Sequence, residues 1–490
     1  MPRAGVLALL VLVGASAVLL QPFGYNQGSH LALVHALADG TSRIDRYRDY
    51  SGDEVYYRGH VYSNKAPGLA FASLPAYLAL RAAHLPHGVH VLSLWGVLLP
   101  AAILLLLVGS TVERIEPGLG TLTAATLGLA TLVLPFTSLF FAHVLSALFG
   151  FAAFAVLWRE RDGPPRLALV AAAGLLAGLA VTTEYPLALA GAVLGLYALA
   201  RPQPVRRGLA YAAGVAVGLV PLLAYNWWAF GSPTHVSYGD AVSAQPGAAH
   251  PPAFFGVSAP RPRVALELLL SSRGLLVLGP VIALGAAGAV LLYRRGRRAE
   301  ALVVGAVAVA FVVYDSGFWG AFGGWGPGPR YLIPMLPFLA VPLALTWRRW
   351  PLTTGALAVV SAGIMLAATA TDPLLPDGAS PSRWWRLLAH GDFTDTIALG
   401  IAPFALLVAV AVVLFARGTP RLSPGRHDVA GAAAALAGWL VTLRAAPALL
   451  RHGSLGALGA LLLALLVVAV VAATLEYVPA PRARTSDVRP

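Results

Sequence analysis

The chain has no cysteine, and lysine supplies one of its 34 basic residues. The first absence excludes disulfides, thiolate metal sites and cysteine nucleophiles together. Charge is scarce too: 11% of the 490 residues are Asp, Glu, Lys or Arg, against about 25% in a soluble domain. No Walker loop, dinucleotide fingerprint or His-Glu-x-x-His occurs, so ATP-driven transport and zinc proteolysis lose support. The alternating pattern of barrel strands is also missing, which leaves helices as the way to cross a membrane.

What is present is apolar. Hydrophobic residues make up 58% of the chain, and the mean hydropathy is +0.74. Apolar runs of about 20 residues recur, each long enough to cross ~30 Å of hydrocarbon. The chain reads as an all-α polytopic membrane protein. Its net charge of +13 does not point to nucleic acid, because the arginines stand in short clusters between apolar runs, as the positive-inside rule requires of cytoplasmic loops. The lysine-poor, arginine- and alanine-rich composition suggests GC-rich bacterial coding, hence a bacterial cytoplasmic membrane.

The clusters set a topology. Arg159/Arg161/Arg166, Arg201/Arg206/Arg207, Arg294/Arg295/Arg297/Arg298, Arg348/Arg349, Arg417/Arg421/Arg426 and the tail Arg482, Arg484 and Arg489 are placed inside. Pairs of apolar runs leave and return between them: 166–183 with 186–200, 207–226 with 274–293, 299–315 with 331–346, 352–370 with 396–415, and 428–446 with 455–474. Arg444 and Arg451 fall outside on this scheme. Met1 to about Leu20 reads as an uncleaved first span, since no small-x-small site precedes Gln21. Of the runs 68–83, 90–109, 119–135 and 140–158, the first is short and ends in Arg81, His84, Pro86 and His87; it is expected to lie on the outer membrane face. About fourteen spans result, with both termini inside and outer segments 21–89, 227–273, 316–330 and 371–395. The Pro- and Gly-rich stretch 246–263 and Tyr238-Gly-Asp240 belong to the second of these.

Five of the 21 acidic residues, Asp39, Asp45, Asp49, Asp53 and Glu54, crowd into the first outer loop, with His30, His35, His60 and Lys65. Helical spacing from Ser29 to Ala38 predicts a short helix stopped by Asp39-Gly40. Pro67 suits an early helical position, so Asn64 and Lys65 are expected at the amino end of the next helix. An ammonium beside a helix amino end suits a phosphate. His143 is expected near the outer end of its span and Glu184 at an outer turn; polar groups at such depth are costly and so informative. Together with loop carboxylates they could hold a hard divalent cation. Phe318-Trp-Gly-Ala-Phe-Gly-Gly-Trp-Gly-Pro-Gly-Pro-Arg-Tyr331 adds aromatic faces for a sugar ring or the membrane interface, and Arg330 a fork for a phosphate.

These features resemble the GT-C class of membrane glycosyltransferases, relatives of protein O-mannosyltransferases and of the lipid A aminoarabinose transferase. The resemblance rests on one span followed by a large outer loop with two surface helices, and on Lys65-Ala-Pro67-Gly-Leu69, where relatives read Lys-Pro-Pro-Leu. It rests also on the outer loop 227–273 and the run Gly-Pro-Arg-Tyr-Leu-Ile-Pro-x-x-Pro-Phe-Leu at 328–339. It implies a GT-C-like catalytic module over 1–346, with additional membrane helices over 347–490. It also implies transfer of a sugar from a polyprenyl-phosphate donor to a glycan, lipid or protein acceptor at the extracytoplasmic face. Lys65 and Arg330 would hold the phosphate, and His60, Tyr62, Asn64 and Tyr331 would contact substrate; Asn64 stands where some relatives carry a metal-binding glutamate. Relatives commonly carry Asp-Glu after the first span, where this chain has Asn26-Gln27. Asp45 or Asp53 is therefore expected as the base, with Glu184 and His143 as ligands of any divalent metal. Two alternatives stay open: a transporter or flippase of a lipid-linked substrate, and a non-catalytic binder of a lipid-linked glycan.

Overall fold

A computed structural model describes residues 1–19, 21, 24–237, 241–242, 256–375, 379–393 and 401–476. Tyr238, Gly239 and Asp240, residues 246–255 of the Pro- and Gly-rich stretch, and Arg482, Arg484 and Arg489 lie outside those residues. The described chain is a helical bundle with eight helices long and apolar enough to cross a membrane, or nine if one bent pair counts as a span. Six further apolar helices have 10–17 residues. This is an integral multi-pass membrane protein.

Small residues let the bundle close. In lipid, helices associate through close packing more than through hydrophobic drive. The helices Leu167–Thr183 and Pro204–Phe230 touch backbone to backbone: a Cβ at Gly174 would lie 2.1 Å from the Tyr211 carbonyl, and one at Gly214 would lie 2.0 Å from that of Ala171. Thr182 Oγ1 donates to the Gly218 carbonyl across this seam (2.9 Å). The seam fixes the height of the turn that follows, which carries Glu184.

The arginine clusters do more than orient the chain. At their end of the bundle the fully buried carboxylate of Glu160 accepts two bonds from Arg207 (2.7 and 2.8 Å). Asp162 is paired with Arg114 (2.9 Å) and Arg297 (2.5 Å). Glu116 pairs with Arg295 and Arg348. Sequence periodicity does not reveal these clamps between helices.

Proline breaks two expected spans. Run 274–293 is a short turn, Leu275–Leu278, followed by Val281–Arg294, and the axis bends by 91° between Pro262–Leu278 and Val281–Arg294. Pro280 offers no N–H to continue the ladder. Run 119–135 divides into Gly120–Leu129 and Val133–Thr137, with Pro135 in the second piece.

The first large loop holds helix Tyr25–Ala38, ended by Gly40 at φ +74°, and helix Gly68–Ala82, which packs on it. The segment between them, read from sequence as plain loop, contains strands β1 (Glu54–Tyr57) and β2 (His60–Ser63) in antiparallel register, Val55 opposite Tyr62. Arg58 (φ +48°) and Gly59 (φ +83°) form its turn, as two-residue hairpins require. The pair β3 (Ala241–Val242), from the second large loop, adds to β1 and gives the order β2-β1-β3.

Candidate active site

Residues from five parts of the chain meet at the loop end of the bundle, around a cleft with about 30 Å³ of room. Asn26 and His30 come from helix Tyr25–Ala38, and Lys65 from the segment after β2. His143 begins helix His143–Arg161, Glu184 follows helix Leu167–Thr183, and Arg330 and Tyr331 open the short turn Arg330–Met335.

Lys65 is set by a relay of hydroxyls. Ser63 Oγ accepts from the Lys65 backbone N–H (3.2 Å) and pairs with Ser29 Oγ (2.8 Å). Ser29 Oγ donates to the Asp53 carbonyl (2.7 Å), and Ser51 Oγ accepts from the Asp53 N–H (2.8 Å). Both ends of the relay therefore converge, and Lys65 Nζ donates to Asp53 Oδ2 at 2.8 Å. Lys65 is 10% exposed and Asp53 32%. An ammonium has three hydrogens, so two remain for another acceptor. Gly68 brings this segment against the neighbouring turn: a Cβ there would lie 2.6 Å from Thr183 Cα, next to Glu184.

The charges shape one another. Burial pushes the Asp53 carboxyl up, and the Lys65 ammonium, its hydrogen bond and the Arg330 charge outweigh it, so Asp53 titrates below its usual range. Burial holds Lys65 below the usual lysine range despite the opposing pull of Asp53. His30 is held well below its usual range by burial and then by the Lys65 charge, which keeps the ring neutral; it stands edge-on to Phe140 (6.2 Å, 81°).

Arg330 lies over the rings of Phe141 (5.3 Å) and Tyr331 (5.4 Å) and is 8% exposed. Its stem fills the place a side chain at Gly323 would need, since a Cβ there would lie 2.3 Å from Arg330 Nε; Gly323 also has φ +73°. A cation held between rings keeps its charge while its position is set by packing. Opposite, His143 Nδ1 lies 2.5 Å from Glu184 Oε1, and Ser146 Oγ donates to Glu184 Oε2 (2.9 Å). The His143 ring stacks on Phe141 (5.7 Å, 24°).

Of the residues singled out from sequence, Lys65, Arg330, Tyr331, His143 and Glu184 line this cleft, and Asp53 stands behind Lys65. Asp45 is turned away: its Oδ1 accepts from the Val61 N–H (3.0 Å), and its Oδ2 faces His60 Nδ1 (3.4 Å). Neither Asp45 nor His60 lines the cleft. Tyr62 is 4% exposed, packed on the Phe230 ring (5.0 Å), and Asn64 accepts from Ser237 through its backbone carbonyl (3.3 Å). His30 also lines the cleft, although the sequence reading placed it in the loop without a role. Its signal was spacing: four residues after Asn26 on one helix, it shares that face. Gln27, fully buried, accepts from the Phe140 N–H (2.8 Å) and thereby serves the fold, whereas Asn26 faces the cleft.

His143 and Glu184 supply two metal-ligand types, and the described residues bring no third His, Asp or Glu to them at ligand distance. Both groups are engaged with each other, across the cleft from the two cations.

No family model matches this sequence, and no curated protein is similar to it in sequence. Among solved structures the chain is similar to ArnT from Cupriavidus metallidurans bound to undecaprenyl phosphate, with a TM-score of 0.51 and 18% identity, covering 96% of this chain and 76% of that one. The apo state of that ArnT gives 0.48 at 18% identity over the same shares. The apo oligosaccharyltransferase of Archaeoglobus fulgidus gives 0.45 at 12% identity over 89% of this chain and 57% of that chain. The first likeness shows a shared fold, the GT-C membrane architecture that the sequence resembles.

Proposed function

We propose that this chain is a membrane glycosyltransferase that moves a sugar from a polyprenyl-phosphate donor to an acceptor hydroxyl at the extracytoplasmic face of a bacterial cytoplasmic membrane. The observation that carries the reading is one cleft reached by Lys65 and Arg330, with the Asp53 carboxylate 2.8 Å from the ammonium. Two fixed cations suit a phosphate, and the Asp53 carboxylate behind Lys65, 32% exposed, suits a proton acceptor. ArnT, whose fold this chain shares, was solved with undecaprenyl phosphate. In this reading the loop end faces outward, the chain crosses about fourteen times, and 1–346 is the catalytic module.

The chemistry needs little more. The acceptor hydroxyl passes its proton to Asp53 as its oxygen attacks the anomeric carbon. The bond from that carbon to the phosphate oxygen breaks, and its electron pair stays on the phosphate, where Lys65 and Arg330 take up the developing charge. Glycosylated acceptor and polyprenyl phosphate leave. Glu184, oriented by Ser146 and His143, faces the same cleft as an acceptor for sugar hydroxyls. Asp45, engaged with His60 and Val61, has no part in the step.

One observation favours a second reading. Asn26 puts an amide into the cleft where relatives commonly carry a carboxylate, and an amide cannot act as a base; a protein that binds the lipid-linked sugar without transferring it would suit that change. The test is turnover by the purified protein in lipid nanodiscs with short-chain polyprenyl-phosphate sugars, read as release of polyprenyl phosphate. Release that needs Asp53 supports the enzyme. Tight binding with no release for any acceptor supports the binder, and no binding of any donor sinks both.

A further inference from the structure

A second cavity lies away from the cleft. It runs between helix Val281–Arg294 and the last hairpin, Arg426–Leu450 with Gly453–Glu476, and its walls are almost wholly apolar, among them Ala287, Leu291, Leu357, Val467 and Val471. It has about 320 Å³ of room, an order of magnitude more than one water molecule needs. Its mouth opens where Val290 (52% exposed) and Val468 (60% exposed) face outward, toward the bilayer. From Pro280 to Arg294 the groove wall rises about 21 Å, more than the roughly 15 Å that the chains of one leaflet fill. At the far end Leu270, Ala446, Leu450, Ala457 and Ala460 close it with a small core of their own. A polar strut crosses it: Trp439 Nε1 donates to the Val277 carbonyl (3.0 Å), beside the bend before Pro280.

The other end is charged. Arg294 lines the mouth, exposed and, among the described residues, without a hydrogen bond or acidic partner. Its neighbours Arg295 and Arg297 are neutralised by Glu116 and Asp162. Arg298 and Arg349, at the same end, lie over the rings of Tyr293 and Trp350 and, among the described residues, pair with no carboxylate. The groove thus joins a leaflet-length apolar slot to a cluster of guanidinium groups that no carboxylate of the described residues pairs with. A zwitterionic head group would bring its own cation to that cluster, whereas an anionic head group would neutralise it. We infer that the groove seats an anionic glycerophospholipid, its phosphate at Arg294 and an acyl chain between helix Val281–Arg294 and the last hairpin, joining that hairpin to the rest of the bundle.

The experiment uses full-length protein, delipidated in detergent, titrated with phosphatidylglycerol or phosphatidylcholine of the same chains. Readouts are native mass spectrometry and the temperature of half-unfolding. We expect phosphatidylglycerol to bind and stabilise more than phosphatidylcholine. Arg294→Gln should weaken phosphatidylglycerol binding about fivefold and leave phosphatidylcholine unchanged, the loss of roughly one arginine's attraction for an anionic surface. Ala287→Trp should fill the slot and abolish both responses, while Ala286→Trp, one residue along on the exposed side, should keep them. Val471→Trp, from the opposite wall, repeats the block should Ala287→Trp prove misfolded by circular dichroism. Equal responses to the two lipids in the parent protein, binding that survives both tryptophans, or a lipid-free dimer that closes the groove would overturn the assignment.

Discussion

Replacing Lys65 by glutamine keeps most of the side chain's length and removes its charge. In the folded protein this strips Asp53 of the ammonium 2.8 Å away. Removing one partner of a fully buried pair costs ~3–5 kcal/mol; because Asp53 is 32% exposed, solvent relieves part of that, and roughly 2 kcal/mol of stability is the expected loss. Donor binding should suffer separately. A hydrogen bond to a charged group contributes about 1.5–3 kcal/mol, so donor affinity and kcat/KM should fall about 10- to 150-fold. The companion variant Asp53→Asn separates base from anchor. It leaves Lys65 charged and releases it from its partner, so phosphate binding should hold or tighten, while turnover falls about 10²–10⁴-fold with loss of the proton acceptor. The assay pairs equilibrium binding of a short-chain polyprenyl-phosphate sugar with release of polyprenyl phosphate, in nanodiscs, on protein shown to be monodisperse. Lys65→Gln binding donor within about threefold of the parent, or Asp53→Asn turning over at the parent rate, would refute the assignment of these two groups.

Asp45→Asn should keep turnover within about threefold, because Asp45 faces His60 and Val61 away from the cleft; a loss as large as that of Asp53→Asn would return the base to Asp45. Folded His30 titrates well below 6.5, so as pH falls through that value the unfolded chain takes up a proton that the folded chain refuses. Stability should therefore fall below pH 6.5, by up to about 1.4 kcal/mol per pH unit from this group, and His30→Asn should flatten the dependence of half-unfolding temperature on pH between 7 and 5. Arg207→Met leaves the buried Glu160 carboxylate without its bidentate partner; a loss of about 3–5 kcal/mol is expected, visible as a lower half-unfolding temperature, and Glu160→Gln in the same chain should recover part of it.

Much of this protein was legible before folding, because the signals are local. Apolar runs of membrane length and clustered arginines specify a polytopic helical bundle. The stop at Asp39-Gly40 lies where the helix Tyr25–Ala38 ends, Glu184 stands at a turn, His143 begins its helix, and Lys65 precedes Gly68–Ala82 by three residues. The hairpin was partly legible, in Val55, Tyr56 and Tyr57 set against Val61 and Tyr62 across Arg58-Gly59, but the mixed charge around it masks the alternation. Tertiary structure alone gives Asp45 and Asp53 different surroundings. Both are loop carboxylates of the same type; the hairpin ties one to the Val61 N–H, and the Ser29–Ser51–Ser63 relay turns the other to Lys65. It alone brings Arg330 and Lys65 to one cleft, and it sets Lys65 near Glu184 through Gly68 lying on Thr183, whose neighbour Thr182 bonds across to Gly218. Periodicity records which face of a segment is apolar, a property of neighbours in sequence. Which polar groups share a cleft follows from contacts between distant segments, and those exist only once the backbones have closed on one another.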